Sequence, residues 1–299
     1  MPSVATWPKG PTYWTENGIP HVSIPFTWNL PEVRKWLTGN LFPEVRIGGP
    51  AVYLMPDFFA DMPNVIIEYS HPGVLQRVSP MATRTTTGCV NKCKFCAIGE
   101  GLVEPGGLVE LKDWPDLPVL CDNNILAASP AHFDRVMDRL EAWDKRKIQT
   151  DFNQGVDARL VNDHHAERIG RLKRMMVRLA FDHFGMADQW ERSFKLLHKA
   201  GVAKRRLRSY CLIAFNTGPQ ECWERCLWVE SHGIRSLPMW FHPLGILVKN
   251  SVTPEQAALG WNDEERQRIM HYFYRHRGWV PAYVRAATEQ DREMVEEAV

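Results

Sequence analysis

Residues 83–99 read TRTTTGCVNKCKFCAIG and contain three of the seven cysteines of the chain. Cys89, Cys93 and Cys96 have the spacing C-x3-C-x2-C, and thiolates are soft ligands that select iron–sulfur clusters, zinc or copper(I). A [4Fe–4S] cluster usually takes four cysteines, so a set of three leaves one iron open to a substrate or cofactor. Gly88 lets the chain turn after the threonine-rich run. We therefore expect a loop that wraps around a metal cluster.

This spacing, with the aromatic Phe95 just before the last cysteine, resembles the cluster loop of the radical S-adenosylmethionine (radical SAM) superfamily. In that superfamily the open iron chelates the methionine end of SAM, and one electron cleaves SAM to methionine and a 5′-deoxyadenosyl radical. The resemblance implies that Cys89, Cys93 and Cys96 bind a [4Fe–4S] cluster and that the backbone at Phe95 lies near the SAM adenine. It also implies an external one-electron donor of the flavodoxin or ferredoxin type.

A structural zinc site, or three unrelated thiols, is the alternative explanation of the cysteines. Structural zinc normally takes a fourth ligand and paired cysteine knuckles. The sequence contains no second C-x2-C or H-x3-H partner for such a site. The pattern therefore favours the iron–sulfur cluster.

Length and composition indicate a globular cytoplasmic protein. The chain has 299 residues, enough for one large α/β domain or two smaller ones, and its 44% hydrophobic content argues against disorder. The net charge of +1 gives no global field that recruits nucleic acid or a membrane. No apolar run approaches the roughly 20 residues of a membrane helix. Seven cysteines suit a reducing compartment better than a disulfide framework. Nucleic-acid binding through the basic stretches 171–178 and 204–208 is the less favoured hypothesis.

From residue 81 the pattern alternates apolar strands with helices. The predicted strands cover residues 84–87, 118–121, 149–152, 176–181, 208–214 and 236–241. Alternating βα units imply a parallel sheet with right-handed crossovers, and six such units match the partial (βα)6 barrel of the radical SAM superfamily. We predict an N-terminal α/β extension over residues 1–80, a radical SAM core over 81–244 and a C-terminal helical cap over 245–299.

The N-terminal extension has the pattern of a βαβ fragment. Strands predicted at 21–26 and 45–47 flank a helix at 30–38, which indicates a parallel pair. The sequence IGGPA at residues 47–51 resembles the cobalamin-binding-like half that precedes some radical SAM cores. The extension is too short for that whole domain and lacks the Asp-x-His-x-x-Gly cobalt-ligand motif. We therefore predict no cobalamin.

Polar residues follow the second predicted core strand, at the edge where parallel sheets carry active-site groups. In the superfamily this position binds the methionine amine, often through a Gly-Gly-Glu motif. This chain has Asp122, Asn123 and Asn124 instead, similar to an Asp-Asp-Asn variant in some subgroups. An Asx turn that caps the next helix explains the three residues equally well.

Two further strand ends supply candidate residues. Asn153, Gln154 and Arg159 are predicted to meet SAM or substrate, because an arginine fork suits a carboxylate. An ion pair between Asp157 and Arg159 is the alternative. Asp182 and His183 follow the fourth strand, and we predict that one binds the SAM ribose while the other moves protons near neutral pH.

The last two strands carry candidates for contact with adenine. Residues 210–224 resemble the fifth-strand Gly-x-Ile-x-Gly-x-x-Glu region of the superfamily, although its first glycine is absent. Ala214 would contact adenine through its backbone and Met239 on the sixth strand through apolar surface. An ordinary core role explains both equally well.

Together these features identify a cytosolic radical SAM enzyme that reductively cleaves SAM and abstracts hydrogen from an unidentified substrate. The competing hypothesis from another class is a non-catalytic iron–sulfur or zinc-binding interaction protein.

Overall fold

The structure is a computed structural model that describes residues 7–8, 10–104 and 106–275. The chain divides into two compact units. The first comprises Met1–Gln154, Arg171–Met176 and His242–Lys249, and the second comprises Gly155–Gly170, Val177–Phe241 and Asn250–Val299. The C-terminal part of the predicted helical cap lies outside the described residues. The predicted domain boundaries at residues 80 and 244 stay predictions.

The first unit begins with a four-stranded sheet in the order β1-β2-β3-β4. Its strands are β1 Thr12–Glu16, β2 Ile19–Ser23, β3 Val45–Gly48 and β4 Val65–Ile67. The first two form an antiparallel hairpin, whereas β2 and β3, and β3 and β4, pair in parallel. The parallel pair expected from the sequence is present. The strands β1 and β4 were not predicted, since β1 is only half-buried on alternate residues and β4 has three residues.

Helix α1, Leu30–Thr38, connects β2 to β3 and matches the predicted range. Its buried residues Leu30, Val33 and Leu37 recur at helical spacing, so one face of the helix packs into the core of this sheet. The short helices α2, Pro50–Leu54, and α3, Val74–Val78, follow β3 and β4 respectively. These helices and the four-stranded sheet therefore form a core that is larger than a single βαβ fragment.

Downstream strands form a second, six-stranded sheet and a small hairpin. The strands are β5 Ala82–Thr83, β6 Thr86–Thr87, β7 Val109–Glu110, β8 Val119–Leu120, β9 Thr150–Phe152, β10 Met175–Phe181, β11 Leu207–Ile213 and β12 Arg235–Trp240. The sheet order is β12-β11-β10-β9-β8-β5, and all of its pairings are parallel. Strands β6 and β7 pair antiparallel outside it. The predicted parallel α/β sheet is confirmed, while closure into a partial barrel stays a prediction.

The remaining helices occupy the connections between these strands and the residues after β12. They are α4 Pro130–Lys145, α5 Asp163–Gly170, α6 Ala187–Lys199, α7 Pro219–Ser231, α8 Pro254–Ala258 and α9 Asp263–Arg275. Helices α4 and α8 have side-chain N-caps: the Ser129 hydroxyl accepts a hydrogen bond from His132 N at 3.3 Å, and Thr253 forms a capping box with Gln256. Within the described ranges, no helix combines the length and apolarity that a bilayer crossing requires.

Candidate functional site

The cysteine-bearing loop, residues 88–99, follows β6. Gly88 adopts a φ of 70°, in the left-handed region that glycine enters without strain, and so turns the chain into the loop. Cys89, Cys93 and Cys96 are half-buried thiols, none of them in a disulfide. Phe95, the predicted adenine neighbour, is also half-buried. The local sequence therefore places three thiols in one short, partly accessible loop.

The loop closes on itself at Gly99. A Cβ added there would lie 2.6 Å from Cys93 N and 2.8 Å from Cys93 O, distances that real Cβ atoms do not reach. Cys96 N donates to Cys93 O at 3.0 Å, and Glu100 N donates to Cys96 O at 3.0 Å. The absence of a side chain at Gly99 thus sets the position of the second and third cysteines.

The sulfur of Cys89 receives two N–H groups. Asn91 N lies 3.4 Å from Cys89 Sγ, and Asn124 Nδ2 lies 3.9 Å from it. N–H donors to ligand sulfurs are one of the means by which a protein tunes an iron–sulfur cluster. The soft donor set and these N–H groups therefore fit a [4Fe–4S] cluster.

A glutamate that the sequence did not single out supports the loop. Glu104 accepts two hydrogen bonds from Arg84, at 2.6 and 2.9 Å, and one from Gly88 N at 2.6 Å. Asn123 Nδ2 donates to Glu104 at 3.0 Å and to Gly88 O at 3.2 Å. The Glu104 carboxylate therefore links Arg84, and Gly88 at the start of the loop, to Asn123 in the predicted SAM-binding segment. A lone glutamate in a Gly/Pro-rich stretch has no local signal that reveals this contact.

Burial and pairing act in opposite directions on the Glu104 carboxyl. Burial by itself raises the pKa of Glu104, but the hydrogen bonds from Arg84 and Gly88 N outweigh it, and the pKa falls below the ordinary 4.5. Burial likewise disfavours the charged form of Arg84, yet the bond to Glu104 raises the pKa of Arg84 above its ordinary value. Both partners are therefore charged at neutral pH.

We expect Glu104→Gln to lower the free energy of unfolding by about 1–2 kcal/mol near pH 7, because the half-exposed pair is partly screened. The folded pKa of Glu104 is depressed, so the stability from its carboxylate is fully present above the ordinary 4.5 and is lost as pH falls through the folded pKa. The difference in unfolding free energy between the wild-type protein and the variant should therefore shrink as pH falls through the folded pKa of Glu104. Urea unfolding across this range measures it, in a C89A/C93A/C96A background that removes cluster loss as a complication.

The exposed Glu100 provides the matched control. Glu100→Gln should change the unfolding free energy by less than about 0.5 kcal/mol at any pH in the series. A stability gap for Glu104→Gln that stays constant through the acid range would contradict the assigned pairing.

Asp122 is buried beneath the loop. Its Oδ1 accepts hydrogen bonds from Thr85 N at 2.8 Å, from Thr85 Oγ1 at 3.0 Å and from the backbone and hydroxyl of Thr86. Burial raises the pKa of Asp122, and these hydrogen bonds oppose the rise. Because Thr85 and Thr86 bind Asp122, they do not continue strand β5 in the parallel sheet. The first core strand consequently ends at Thr83 instead of covering the predicted residues 84–87.

Other predicted residues of the first unit lie at neighbouring strand ends. Asn153 follows β9, is half-buried and donates its backbone N–H to Leu120 O at 3.0 Å, whereas Gln154 is exposed. The structure brings Asn123 and Asn124 to the cysteine-bearing loop. The predicted contacts of all these side chains with SAM stay predictions, and Asp122 has a structural role as well.

In the second unit, Arg159 pairs with Asp157, the alternative that the sequence left open. Arg159 Nε lies 2.7 Å from Asp157 Oδ1, and Arg159 Nη2 lies 2.8 Å from Oδ2. Asp182 follows β10, and burial raises the pKa of its carboxyl, an effect that Arg225, Arg159 and His183 partly offset. His183 is exposed. The predicted residues Arg159, Asp182 and His183 therefore share one electrostatic neighbourhood.

A fully buried arginine that the sequence did not reveal organises two strand ends of the second unit. Arg225 on α7 donates to the backbone oxygens of Asp182, which directly follows β10, and of Leu212, the penultimate residue of β11. Its guanidinium also lies 3.7 Å from Cys222 Sγ. The backbone just after β10 is thus held by a charged side chain from α7, the helix that follows β11.

The two residues predicted to flank adenine differ in exposure. Ala214 directly follows β11, is buried and has a φ of 65°, an uncommon conformation for a residue with a Cβ. Its carbonyl accepts from Gln256 Nε2 at 3.3 Å. Met239 on β12 is 44% exposed, with Tyr274 OH 3.9 Å from its sulfur. The predicted contacts of Ala214 and Met239 with adenine stay predictions.

Comparison with solved structures finds a similar chain in TsrM from Kitasatospora setae, a radical S-adenosylmethionine methyltransferase with cobalamin and a [4Fe–4S] cluster bound. The TM-score is 0.56 at 10% sequence identity, and the match covers 76% of this chain and 65% of that chain. The fold is radical SAM-like. This chain spans slightly less than two thirds of the length of TsrM, so activity and cofactors remain to be proposed. No protein-family model and no curated protein sequence matches the chain.

The prediction of no cobalamin is contradicted by this comparison, because TsrM has the similar fold and binds cobalamin. The missing Asp-x-His-x-x-Gly motif removes only a histidine ligand to cobalt. Packing and hydrogen bonds to the corrin need no such motif, so its absence was not a sufficient argument. The N-terminal residues also form a four-stranded sheet, which is larger than the βαβ fragment from which the prediction was made.

Proposed function

We propose that this protein is a radical SAM enzyme whose Cys89, Cys93 and Cys96 hold a [4Fe–4S] cluster with one iron open to SAM. When bound and reduced, the cluster would supply the electron that cleaves SAM to methionine and a 5′-deoxyadenosyl radical. The observation that carries the proposal is the self-closing three-cysteine loop in a fold that is radical SAM-like. The substrate class is left open.

The residues around the loop have separate roles in this proposal. Gly99 and Glu104 keep the cysteines in place, since each contacts the loop backbone directly. Asn123 and Asn124 present amide groups beside the loop, and a side-chain amide oxygen is a suitable acceptor for the methionine ammonium of SAM. Holding the amides of Asn123 and Asn124 against the cysteine-bearing loop would orient the cofactor before reduction.

Residues of the second unit are proposed to bind SAM or the substrate. Burial raises the pKa of Asp182, and its carboxyl offers hydrogen-bonding oxygens to a ribose hydroxyl. Arg159 offers a guanidinium to a carboxylate, and exposed His183 can exchange protons with solvent. The backbone at Ala214 and the side chain of Met239 offer apolar surface to a base.

The proposal is tested by anaerobic reconstitution with iron and sulfide, followed by dithionite and SAM. We expect a four-iron absorption spectrum and release of 5′-deoxyadenosine, and Cys89→Ser should reduce both to background. The matched control is Cys121→Ser, since burial raises the pKa of Cys121 to about 12 and keeps it a neutral thiol. That control should retain the spectrum and the cleavage.

Two outcomes would overturn the proposal in favour of a non-catalytic protein. A reconstituted four-iron cluster that releases no 5′-deoxyadenosine would indicate a non-catalytic iron–sulfur interaction protein. A colourless, zinc-loaded protein would indicate a zinc-binding interaction protein. The same preparation should be incubated with hydroxocobalamin and filtered, because TsrM binds cobalamin. Retained corrin absorbance would extend the proposal to a cobalamin-dependent enzyme.

A further inference from the structure

Two histidines and a glutamate converge at one end of the N-terminal sheet. His21 lies on β2, Glu68 directly follows β4, and His71 lies in the next loop. In the described part of the chain, this is the one group in which three potential metal-ligand atoms lie within 4.8 Å of one another. All three residues belong to the first unit and none belongs to the cysteine-bearing loop.

The ligand atoms already have the spacing of a metal site. His21 Nδ1 lies 3.2 Å from Glu68 Oε2, and His71 Nδ1 lies 3.2 Å from the same oxygen. A tetrahedral zinc ion bonded to nitrogen and oxygen at roughly 2.0–2.2 Å places its ligand atoms about 3.3–3.5 Å apart. Small movements of the two imidazoles would therefore admit an ion between them and the carboxylate.

A second carboxylate orients His71 from the other side of its ring. His71 Nε2 lies 3.1 Å from Glu16 Oε2, which also accepts a hydrogen bond from Arg77 at 3.0 Å. A carboxylate that accepts a hydrogen bond from the N–H of one ring nitrogen leaves the lone pair of the other free for a metal, and it is the common outer partner of metal-bound histidine. His71 thus has the arrangement that a metal-binding histidine requires.

His21 and Glu68 are also held in position. His21 is 4% exposed, and its ring stacks on Trp14 with centroids 5.2 Å apart and planes at 17°. Arg46 lies 3.9 Å from the second carboxylate oxygen of Glu68, which leaves Oε2 directed to the two histidines. Restricted side chains lose little conformational freedom on binding an ion, and this favours affinity.

We propose that His21, Glu68 and His71 form a binding site for a divalent transition-metal cation, with Glu16 as its outer-shell carboxylate. Two imidazoles and one carboxylate are borderline donors of the kind that Zn²⁺ accepts, and they leave a fourth position for water. A bound ion would tie β2 to the loop that follows β4. This inference is independent of the proposed radical chemistry.

Zinc alone is the probe, added to a C89A/C93A/C96A chain so that the cluster loop contributes no thiolates. Competition with a chromophoric chelator should show one Zn²⁺ per chain, and X-ray absorption should show nitrogen and oxygen ligands near 2.0–2.1 Å without sulfur at about 2.3 Å. His71→Ala and Glu68→Gln should abolish tight binding. Glu16→Gln should weaken it by about 10–100-fold, the usual effect of losing an outer-shell partner.

The control is His164→Ala, which removes an exposed histidine on α5 and should leave zinc affinity unchanged. Circular dichroism establishes that each variant is folded, and zinc should raise the Tm of the parent chain but not that of His71→Ala. Failure of the parent to retain zinc, sulfur ligation in its spectrum, or an unchanged affinity in both His71→Ala and Glu68→Gln would overturn the proposal. The side chains would then form a hydrogen-bond network only. Because the assay needs no cluster, its outcome is separate from that of the SAM-cleavage test.

Discussion

Gly99→Ala is expected to abolish cluster incorporation while leaving the rest of the fold intact. The new Cβ would lie 2.6 Å from Cys93 N and 2.8 Å from Cys93 O, and it would lie 3.3 Å from Lys92 C. These are backbone atoms, so the contact is relieved only if the loop carrying Cys93 moves. A misplacement of about 1 Å at a reacting centre costs on the order of 100-fold in rate. We expect iron content and four-iron absorbance to fall, and 5′-deoxyadenosine release to fall by at least that factor.

Gly106→Ala is the control for this substitution, because a Cβ added at Gly106 has no atom within 4 Å and its backbone has no positive φ. It should load iron as well as the unmodified protein. Thermal unfolding of the two cluster-free variants should agree within a few degrees. If Gly99→Ala binds a full four-iron cluster, the close approach between Gly99 and Cys93 does not position the ligands.

Arg225→Met is expected to destabilise the protein by about 3 kcal/mol, because hydrogen bonds from a fully buried charged group to two backbone carbonyls are lost together. The methionine preserves much of the buried volume, so the loss reports mainly the contacts with the backbone oxygens of Asp182 and Leu212. The guanidinium also lowers the pKa of Asp182 against the effect of burial. Its removal should therefore raise the pKa of that carboxyl further.

Urea unfolding monitored by circular dichroism measures the change, as a lower midpoint at an unchanged slope. Arg192→Met is the control, since Arg192 is an exposed arginine on α6, and it should alter stability by no more than about 0.5 kcal/mol. Infrared spectra of the Asp182 carboxyl across pH would follow its titration. A loss below about 1 kcal/mol for Arg225→Met would show that the two carbonyls find other partners.

The sequence predicted well wherever the signal is local. The spacing of Cys89, Cys93 and Cys96 lies within one loop, and the predicted bounds of α1 agree with the structure because its apolar residues recur at helical spacing. Six parallel strands follow from the alternation of strand and helix. Strand β4, with three residues that are not buried, has neither the longer apolar run nor the alternation that predicts a strand.

The spacing of the three cysteines and the parallel α/β order were determined by the sequence itself, because residue spacing and periodicity are properties of neighbouring residues. Tertiary structure alone decided which distant side chains meet. Glu104 lies 20 residues from Arg84, Asp182 lies 43 from Arg225, and His21 lies 47 from Glu68. No pattern along the chain encodes such pairs. They form only when packing buries both polar groups away from water, so that each becomes the hydrogen-bond partner of the other.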